Sequence, residues 1–252
     1  MSALFDVTGR LALVTGSSRG LGLAMASGLA GAGARVVLHG RDRAQLRRAA
    51  SSVAERTGSA PAVAVFDVAD AASVAAGVAA LVGEHGAPDV LVNNAGIQRR
   101  APFEEFDPAD WEALVAVNLS GVFHVSRAVV PHMVARGSGK VVNVASVLAR
   151  RTIAPYTATK GGVAMLTRGM AADLTGRGVQ VNALSPGYFA TEMNAALVAD
   201  AEFTSWVEQR TPAGRWGRVE ELLGALLFLC SDASSYVSGQ NLVVDGGMSS
   251  VL

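Results

Sequence analysis

The chain has a single cysteine, Cys230, among its 252 residues, so no disulfide can form within it. That usage points to a reducing compartment. Cys230 closes the apolar run Leu226-Leu227-Phe228-Leu229, which predicts a buried, inert thiol rather than a reactive one. Excess charge of either sign is also missing, since 21 Lys and Arg balance 21 Asp and Glu. A basic tract for nucleic acid or a basic face for a membrane is thereby excluded. The four histidines, His39, His85, His124 and His132, have no ligand spacing with Cys or carboxylates. No metal site is expected. No uninterrupted apolar run approaches about 20 residues, and the opening MSALFDVTGR lacks the charged-then-apolar pattern of a signal peptide. The expectation is a soluble, cytoplasmic protein that meets neither nucleic acid nor membrane.

Hydrophobic residues, by contrast, make up half the chain, enough for a large core in one unit. Short β-branched runs at 11–14, 35–38, 62–66, 90–92, 140–144, 180–184 and 242–244 read as strands. Helical patterns lie between them at 20–32, 43–56, 71–85, 109–135, 155–175 and 219–230. Alternating strands and helices with near-continuously apolar strands predict an α/β fold. The expected architecture is one domain over 1–252, a doubly wound, Rossmann-like parallel β-sheet of about seven strands with helices on both faces. Residues 186–217 form the longest stretch without a clear strand. They follow a strand's C-terminal end, where such sheets bind ligands, and read as a substrate lid with a helix near 200–209. A passive surface excursion is the alternative.

After the first strand comes Thr15-Gly16-Ser17-Ser18-Arg19-Gly20-Leu21-Gly22, then a helix. Residues without a Cβ let backbone amides approach a pyrophosphate, and the helix N-terminus offers its unsatisfied N–H groups and positive dipole end. Gly16, Ser18, Arg19, Gly20, Leu21 and Gly22 are therefore candidate cofactor residues. The second strand runs into His39-Gly40-Arg41-Asp42, with no acid at its tip to hold a ribose 2′-hydroxyl. Arg19 and Arg41 suit the 2′-phosphate of NADP(H). Asp42 keeps NAD(H) open as the alternative, and solvation of the next helix is the plain reading of Arg41.

Tyr156-Thr157-Ala158-Thr159-Lys160 heads a helix, and residues four apart share a face. An ordinary phenol, with a pKa of about 10, exchanges protons poorly at neutral pH, and a nearby ammonium lowers that value. Tyr156 is thus a candidate general acid/base, supported by Lys160. The preceding strand ends at Ser146, which can hydrogen-bond the reacting oxygen.

In order and spacing, Thr15–Gly22, Asp67-Val68, Asn93-Asn94-Ala95-Gly96, Asn118, Ser146, Tyr156 with Lys160, and Pro186-Gly187 resemble the short-chain dehydrogenase/reductase family over essentially the whole chain. The resemblance implies a hydride-transferring enzyme. Asp67 and Val68 would flank the adenine. Asn94, Ala95 and Gly96, with Asn93, would close the cofactor groove. Asn118 would bend its helix and hold a water linking Lys160 to solvent. Pro186 and Gly187 would lie against the nicotinamide, and Thr191 would reach its carboxamide. Tyr156 and Lys160 would also touch the cofactor. A homotetramer is implied, with the helices at 109–135 and 155–175 and the C-terminal strand at interfaces. One feature departs from the family pattern: only nine residues separate Ser146 from Tyr156. This shortened loop puts its part in substrate choice, and the position of Ser146, in question.

Further stretches, at 93–100, 152–160, 165–170, 186–193 and 210–217, resemble the bacterial gluconate 5-dehydrogenase branch of that family. The implied reaction is reversible, NADP(H)-dependent hydride transfer between the nicotinamide and a sugar acid, D-gluconate and 5-keto-D-gluconate. A sugar acid carries a carboxylate, which an arginine holds with two parallel bonds. Arg99 or Arg100 is the candidate, alongside Ser146 and Tyr156 at the reacting oxygen. Arg150 and Arg151 have a weaker claim. A solvated loop pair or a subunit contact is the alternative for Arg99 and Arg100. Two rival functions stand beside this one: another reductase of the same scaffold, acting on a 3-oxoacyl carrier protein or another sugar or polyol, and a non-catalytic dinucleotide sensor.

Overall fold

The apolar β-branched runs become strands, and the Ala/Leu-rich stretches become helices, one of them broken. The computed structural model describes residues 3–147, 153–191 and 194–251. The chain runs β1 (Leu11–Val14), α1 (Gly20–Gly31), β2 (Arg35–Gly40), α2 (Arg43–Thr57), β3 (Ala62–Val65), α3 (Ala71–His85) and β4 (Val90–Asn93). It continues through α4 (Pro108–Val115), α5 (Gly121–Arg136), β5 (Gly139–Val144), α6 (Ala154–Leu174) and β6 (Val179–Pro186). The remainder comprises β7 (Phe189–Ala190), α7 (Ala195–Ala199), α8 (Ala201–Arg210), β8 (Gly217–Arg218), α9 (Glu220–Cys230) and β9 (Asn241–Val244).

Seven strands pair in parallel in the order β3-β2-β1-β4-β5-β6-β9. From β1 the chain builds outward to β3, then returns to β4 and builds the other way. The strand ends between β1 and β4 therefore form the switch point at which such sheets hold ligands. Successive side chains alternate faces. Ala12 and Val14 pack with Met25 and Leu29 of α1, Leu46 of α2 and Leu226 of α9. Leu11 and Leu13 pack with Val74 and Val78 of α3, Val129 and Met133 of α5 and Leu174 of α6. Cys230 is buried in the first of these layers, and burial pushes its thiol up to about 12. The thiol is inert, as its apolar setting predicts.

The helical pattern over 109–135 differs from one continuous helix. A single π-type turn, Ala116–Ser120, separates α4 from α5, and Asn118 is buried within it. By length and composition the run Pro108–Arg136 could cross a membrane. Its inward residues Val122, Val125, Val129 and Met133 pack within this fold's core. The stretch after β6 holds two helices rather than one, and a two-stranded ribbon of β7 and β8 ties its ends together. The Asp200 carboxylate starts α8 by accepting from the amides of Glu202 and Phe203.

Candidate active site

The glycine turn has the shape its sequence requires. Gly16 and Gly20 adopt φ of 64° and 59°, a left-handed region that disfavours residues with a Cβ. A Cβ on Gly16 would lie 2.7 Å from Ala95 Cα, and one on Gly22 would collide with the Gly16 carbonyl and the Asn94 amide. Arg19 stands at the N-cap position of α1 but makes no side-chain cap, so the helix presents its first amides uncapped. The Asn94 amide donates to the Thr15 and Gly16 carbonyls, at 2.9 and 3.1 Å. The Thr15 hydroxyl accepts from the amides of Asn94 and Ala95. The ends of β1 and β4 are thus bolted together beneath the turn.

An open groove with a cavity volume of about 360 Å³ runs outward from this point, lined among others by Ser18, Arg19, Arg41, Asp42, Asp67, Val68 and Gly96. Asp42 is taken: its carboxylate caps α2, accepting from the amides of Ala44 and Gln45 at 2.8 and 3.1 Å. Both bonds fall on Oδ1, so a ribose 2′-hydroxyl would have to share a carboxylate that fixes the start of α2. Arg41 stands exposed, 3.6 Å from Asp67, and Arg19 lines the same groove. Uncapped helix, glycine cradle and two guanidinium groups fit the pyrophosphate and 2′-phosphate of NADP(H).

His39, whose place in the glycine turn its sequence does not announce, supports that turn from below. It is buried at the end of β2, accepts from the Gly16 amide on Nδ1 at 3.2 Å and pairs with the Phe66 carbonyl through Nε2 at 3.1 Å. Burial lowers its pKa to about 4, so it is neutral, with Nε2 carrying the proton. The available signal was a polar residue in an otherwise apolar strand.

The proposed catalytic residues come from the segment just after β5, from α6 and from the π turn. A side-chain hydrogen bond joins Ser146 to Tyr156, despite the short intervening loop. Residues 148–152, and with them Arg150 and Arg151, lie outside the described residues. Lys160 is buried and donates to the Val144 carbonyl at 2.7 Å, with Nζ 5.8 Å from the centroid of the Tyr156 ring. Burial lowers the Lys160 pKa to about 8. The expected lowering of the phenol by this ammonium is not found. Burial raises the Tyr156 pKa, the Ser146 hydrogen bond opposes it, and the neighbouring Tyr188 raises it further. Desolvation is the largest of these influences.

Asn118 is fully buried. It accepts from the Ile97 amide at 2.8 Å and donates to the Ile97 carbonyl at 2.9 Å and to Thr159 Oγ1 at 3.3 Å. Thr159 in turn donates to the Tyr156 carbonyl at 2.7 Å. The π turn is therefore tied both to the loop after β4 and to the helix that carries Tyr156 and Lys160. Gly96 lies tight against Asn118. Beneath them the Asn93 amide donates to Ser126 and Asn143, and the Asn143 amide to Thr167.

Pro186 ends β6, and the Gly187 amide donates to the Val244 carbonyl at 2.9 Å. Thr191 accepts from the Asn194 amide on its carbonyl at 2.9 Å. Arg99 and Arg100 are exposed on the loop after β4. Arg99 pairs with Asp110 at 3.0 Å, whereas the side-chain contact of Arg100 is with the neutral Gln98 amide oxygen at 3.1 Å. Among the described residues Arg100 has no ion pair.

Comparison with known proteins agrees with this geometry. A family model described as Enoyl-(Acyl carrier protein) reductase matches residues 16–249. Gluconate 5-dehydrogenase of Gluconobacter oxydans (strain 621H) is 57% identical, over 97% of this chain and 96% of that protein. The 5-keto-D-gluconate 5-reductase of Escherichia coli (strain K12) is 47% identical over 98% of each. The crystal structure of a gluconate 5-dehydrogenase from Burkholderia cenocepacia in complex with NADP and tartrate is 54% identical, covers 99% of both chains and superposes with a TM-score of 0.95. By its sheet, its glycine turn and these relatives, the chain belongs to the short-chain dehydrogenase/reductase family.

Proposed function

We propose that the protein is an NADP(H)-dependent oxidoreductase that interconverts D-gluconate and 5-keto-D-gluconate. The observation that carries this reading is the Ser146–Tyr156 hydrogen bond, formed beside a groove that holds Arg19 and Arg41 and in which Asp42 caps α2. Likeness to gluconate 5-dehydrogenases over nearly the full chain supplies the substrate.

When bound, NADPH supplies the hydride that turns a carbonyl carbon into a secondary alcohol carbon. The chain's own residues do the rest. The Ser146 hydroxyl donates a hydrogen bond to the carbonyl oxygen, and Tyr156 gives that oxygen its phenolic proton. In the oxidative direction Tyr156, as phenolate, takes the hydroxyl proton back. Asn118 and Lys160 serve this exchange from behind, Asn118 by fixing the backbone and Lys160 as the buried cation that links the phenol to solvent.

Arg100 is the better candidate to hold the sugar-acid carboxylate, because Asp110 already neutralises Arg99. Pro186, Gly187 and Thr191 bound the nicotinamide end, while Asp67, Val68, Asn94, Ala95 and Gly96 bound the adenosine end. Residues 186–217 act as the lid over the substrate. A homotetramer in the cytoplasm is part of the same reading, supported by apolar side chains left exposed on α4, α5 and α6: Trp111, Phe123 and Met165.

The test is NADPH consumption with 5-keto-D-gluconate, set against acetoacetyl thioester and against NADH. Turnover on the sugar acid with NADPH is expected. Preference for the thioester points instead to an acyl-carrier reductase. Tyr156→Phe should lower kcat by about 100-fold or more while leaving NADPH binding intact; equal turnover would remove Tyr156 from the mechanism.

A further inference from the structure

Gln45 occupies the third position of α2, where a glutamine ordinarily folds back onto the backbone amide of its own cap residue. Here the side chain turns the other way. Its Oε1 accepts from the Ser18 hydroxyl of the glycine turn at 3.0 Å, across 27 positions of sequence. Asp42 leaves it free to do so by anchoring the helix start alone. The Asp42 carboxylate takes the Ala44 and Gln45 amides, and the Asp42 carbonyl takes the Leu46 amide at 3.0 Å. Gln45 is partly buried and lines the same groove as Ser18, Arg19 and Arg41. The bond to Ser18 engages only the oxygen of its amide, which carries two N–H donors besides. Among the described residues those donors have no hydrogen-bond partner.

Net charge does not by itself make this groove prefer a 2′-phosphate. Arg19 and Arg41 line it, but so do Asp42 and Asp67, and the formal charges cancel. Arg41 is moreover shared with Asp67, 3.6 Å away. A phosphate dianion against such a wall is held by donors aimed at it, and each hydrogen bond to a charged acceptor is worth about tenfold or more in binding. We propose that Gln45 is a cofactor-specificity residue, whose amide nitrogen donates to the 2′-phosphate of NADP(H) while its oxygen holds the Ser18 hydroxyl. The inference rests on the NADP(H) part of the proposed function and deepens it. A neutral amide forms no ion pair with Asp42 or Asp67, so it stays available where Arg41 is shared. The 2′-hydroxyl of NAD(H) is an uncharged acceptor and gains less from the same donor.

The experiment measures binding of NADP⁺ and of NAD⁺ to the full chain by isothermal titration calorimetry, with no substrate and no turnover. Salt is held at about 0.15 M, where exposed charges more than about 8 Å apart are screened from one another. The readout is the ratio of the two dissociation constants, because a residue that merely shapes the turn moves both together. Gln45→Glu keeps the side chain's length and an acceptor for Ser18 but sets a carboxylate where the donor was. Glutamate also suits the first turn of a helix, so the fold is retained. The preference for NADP⁺ should fall about tenfold in this variant. A preference within about threefold of the wild type overturns the inference. Should Gln45→Glu fail to fold, Gln45→Lys decides: an ammonium at the same place should raise the preference by about threefold or more, and no rise overturns the inference. A wild-type protein that binds NAD⁺ as tightly as NADP⁺ overturns the cofactor reading and the inference with it. That outcome is distinct from a preference for NADP⁺ that Gln45→Glu leaves intact.

Discussion

The His39 imidazole accepts the Gly16 amide proton at 3.2 Å, so the last turn of β2 holds the first glycine of the phosphate turn in place. Phe66 completes the bracket, with its carbonyl paired to Nε2 and its ring 3.9 Å from the imidazole. Only the neutral histidine can accept from Gly16. Its folded pKa of about 4 lies below the ordinary 6.5, so the unfolded chain takes a proton that the folded one refuses. The stability this supplies is whole above pH 6.5 and is lost as pH falls through 4, up to about 3 kcal/mol. His39→Gln keeps a donor and an acceptor without titrating. Urea unfolding at pH 7 and pH 4.5 should therefore show a steeper loss in the wild type than in the variant. Parallel losses would mean that His39 is not the titrating bracket.

Asp42 and Arg41 are adjacent in sequence but have opposite assignments. Asp42 caps α2, which leaves Arg41 as the charged group that faces the ribose end of the groove. Arg41→Ala should lower kcat/KM for NADPH by about ten- to a hundredfold, the worth of charge-assisted hydrogen bonds, and leave NADH nearly untouched. Equal losses with both cofactors would place Arg41 in packing rather than in recognition. Asp42→Ala should cost about 1 kcal/mol in stability through the lost cap, with no gain for NADPH.

The sheet was legible because its signal is local. β-branched runs separated by Ala/Leu helices locate each strand to within a residue or two, and the glycine turn follows from steric need. What was not legible depends on contacts distant in sequence. Asp110 neutralises Arg99 across eleven positions, and no pattern in the loop announces it. Tyr188 gains its aromatic setting from Phe203, Trp206 and Trp216, all later in the chain. His39 looks like an interruption of an apolar strand until Gly16 arrives above it. The break in the helix over 109–135 falls at Asn118, where the family resemblance implied a bend, while its π-type geometry is not given by composition. The partner of Lys160 is hidden in the same way: spacing puts Lys160 on the face of Tyr156 but does not show the Val144 carbonyl that takes the ammonium.

Burial of the Tyr156 phenol sets a direction for the pH profile. Its pKa lies above the ordinary 10, so the neutral, proton-donating form holds throughout the neutral range. Ketone reduction needs that form, and alcohol oxidation needs the phenolate. Oxidation of gluconate should thus climb with pH well into the alkaline range, while reduction stays level near neutrality. Initial rates in both directions across pH 6 to 10 at saturating cofactor check this. An oxidation rate that levels off near pH 7 would show the phenol to be lowered in the working enzyme.

Lys160 allows a separate test that does not depend on turnover. Its ammonium is held in a buried site with a pKa of about 8, against an ordinary 10.5. Between those values the unfolded chain binds the proton and the folded chain does not, so this group adds stability as pH rises from 8 to 10.5. Below 8 the full cost of burying the charge remains, on the order of 3 kcal/mol. Lys160→Met removes the titration while keeping most of the side chain's length. The stability difference between wild type and variant should move in favour of the wild type over that window, by up to the same amount. Thermal or urea unfolding at pH 7.5 and pH 10 reads it directly, and other titrating groups cancel in the comparison because both proteins carry them. A difference that stays constant would mean that Lys160 is solvated in the folded state, and the buried cation behind the catalytic phenol would go with it.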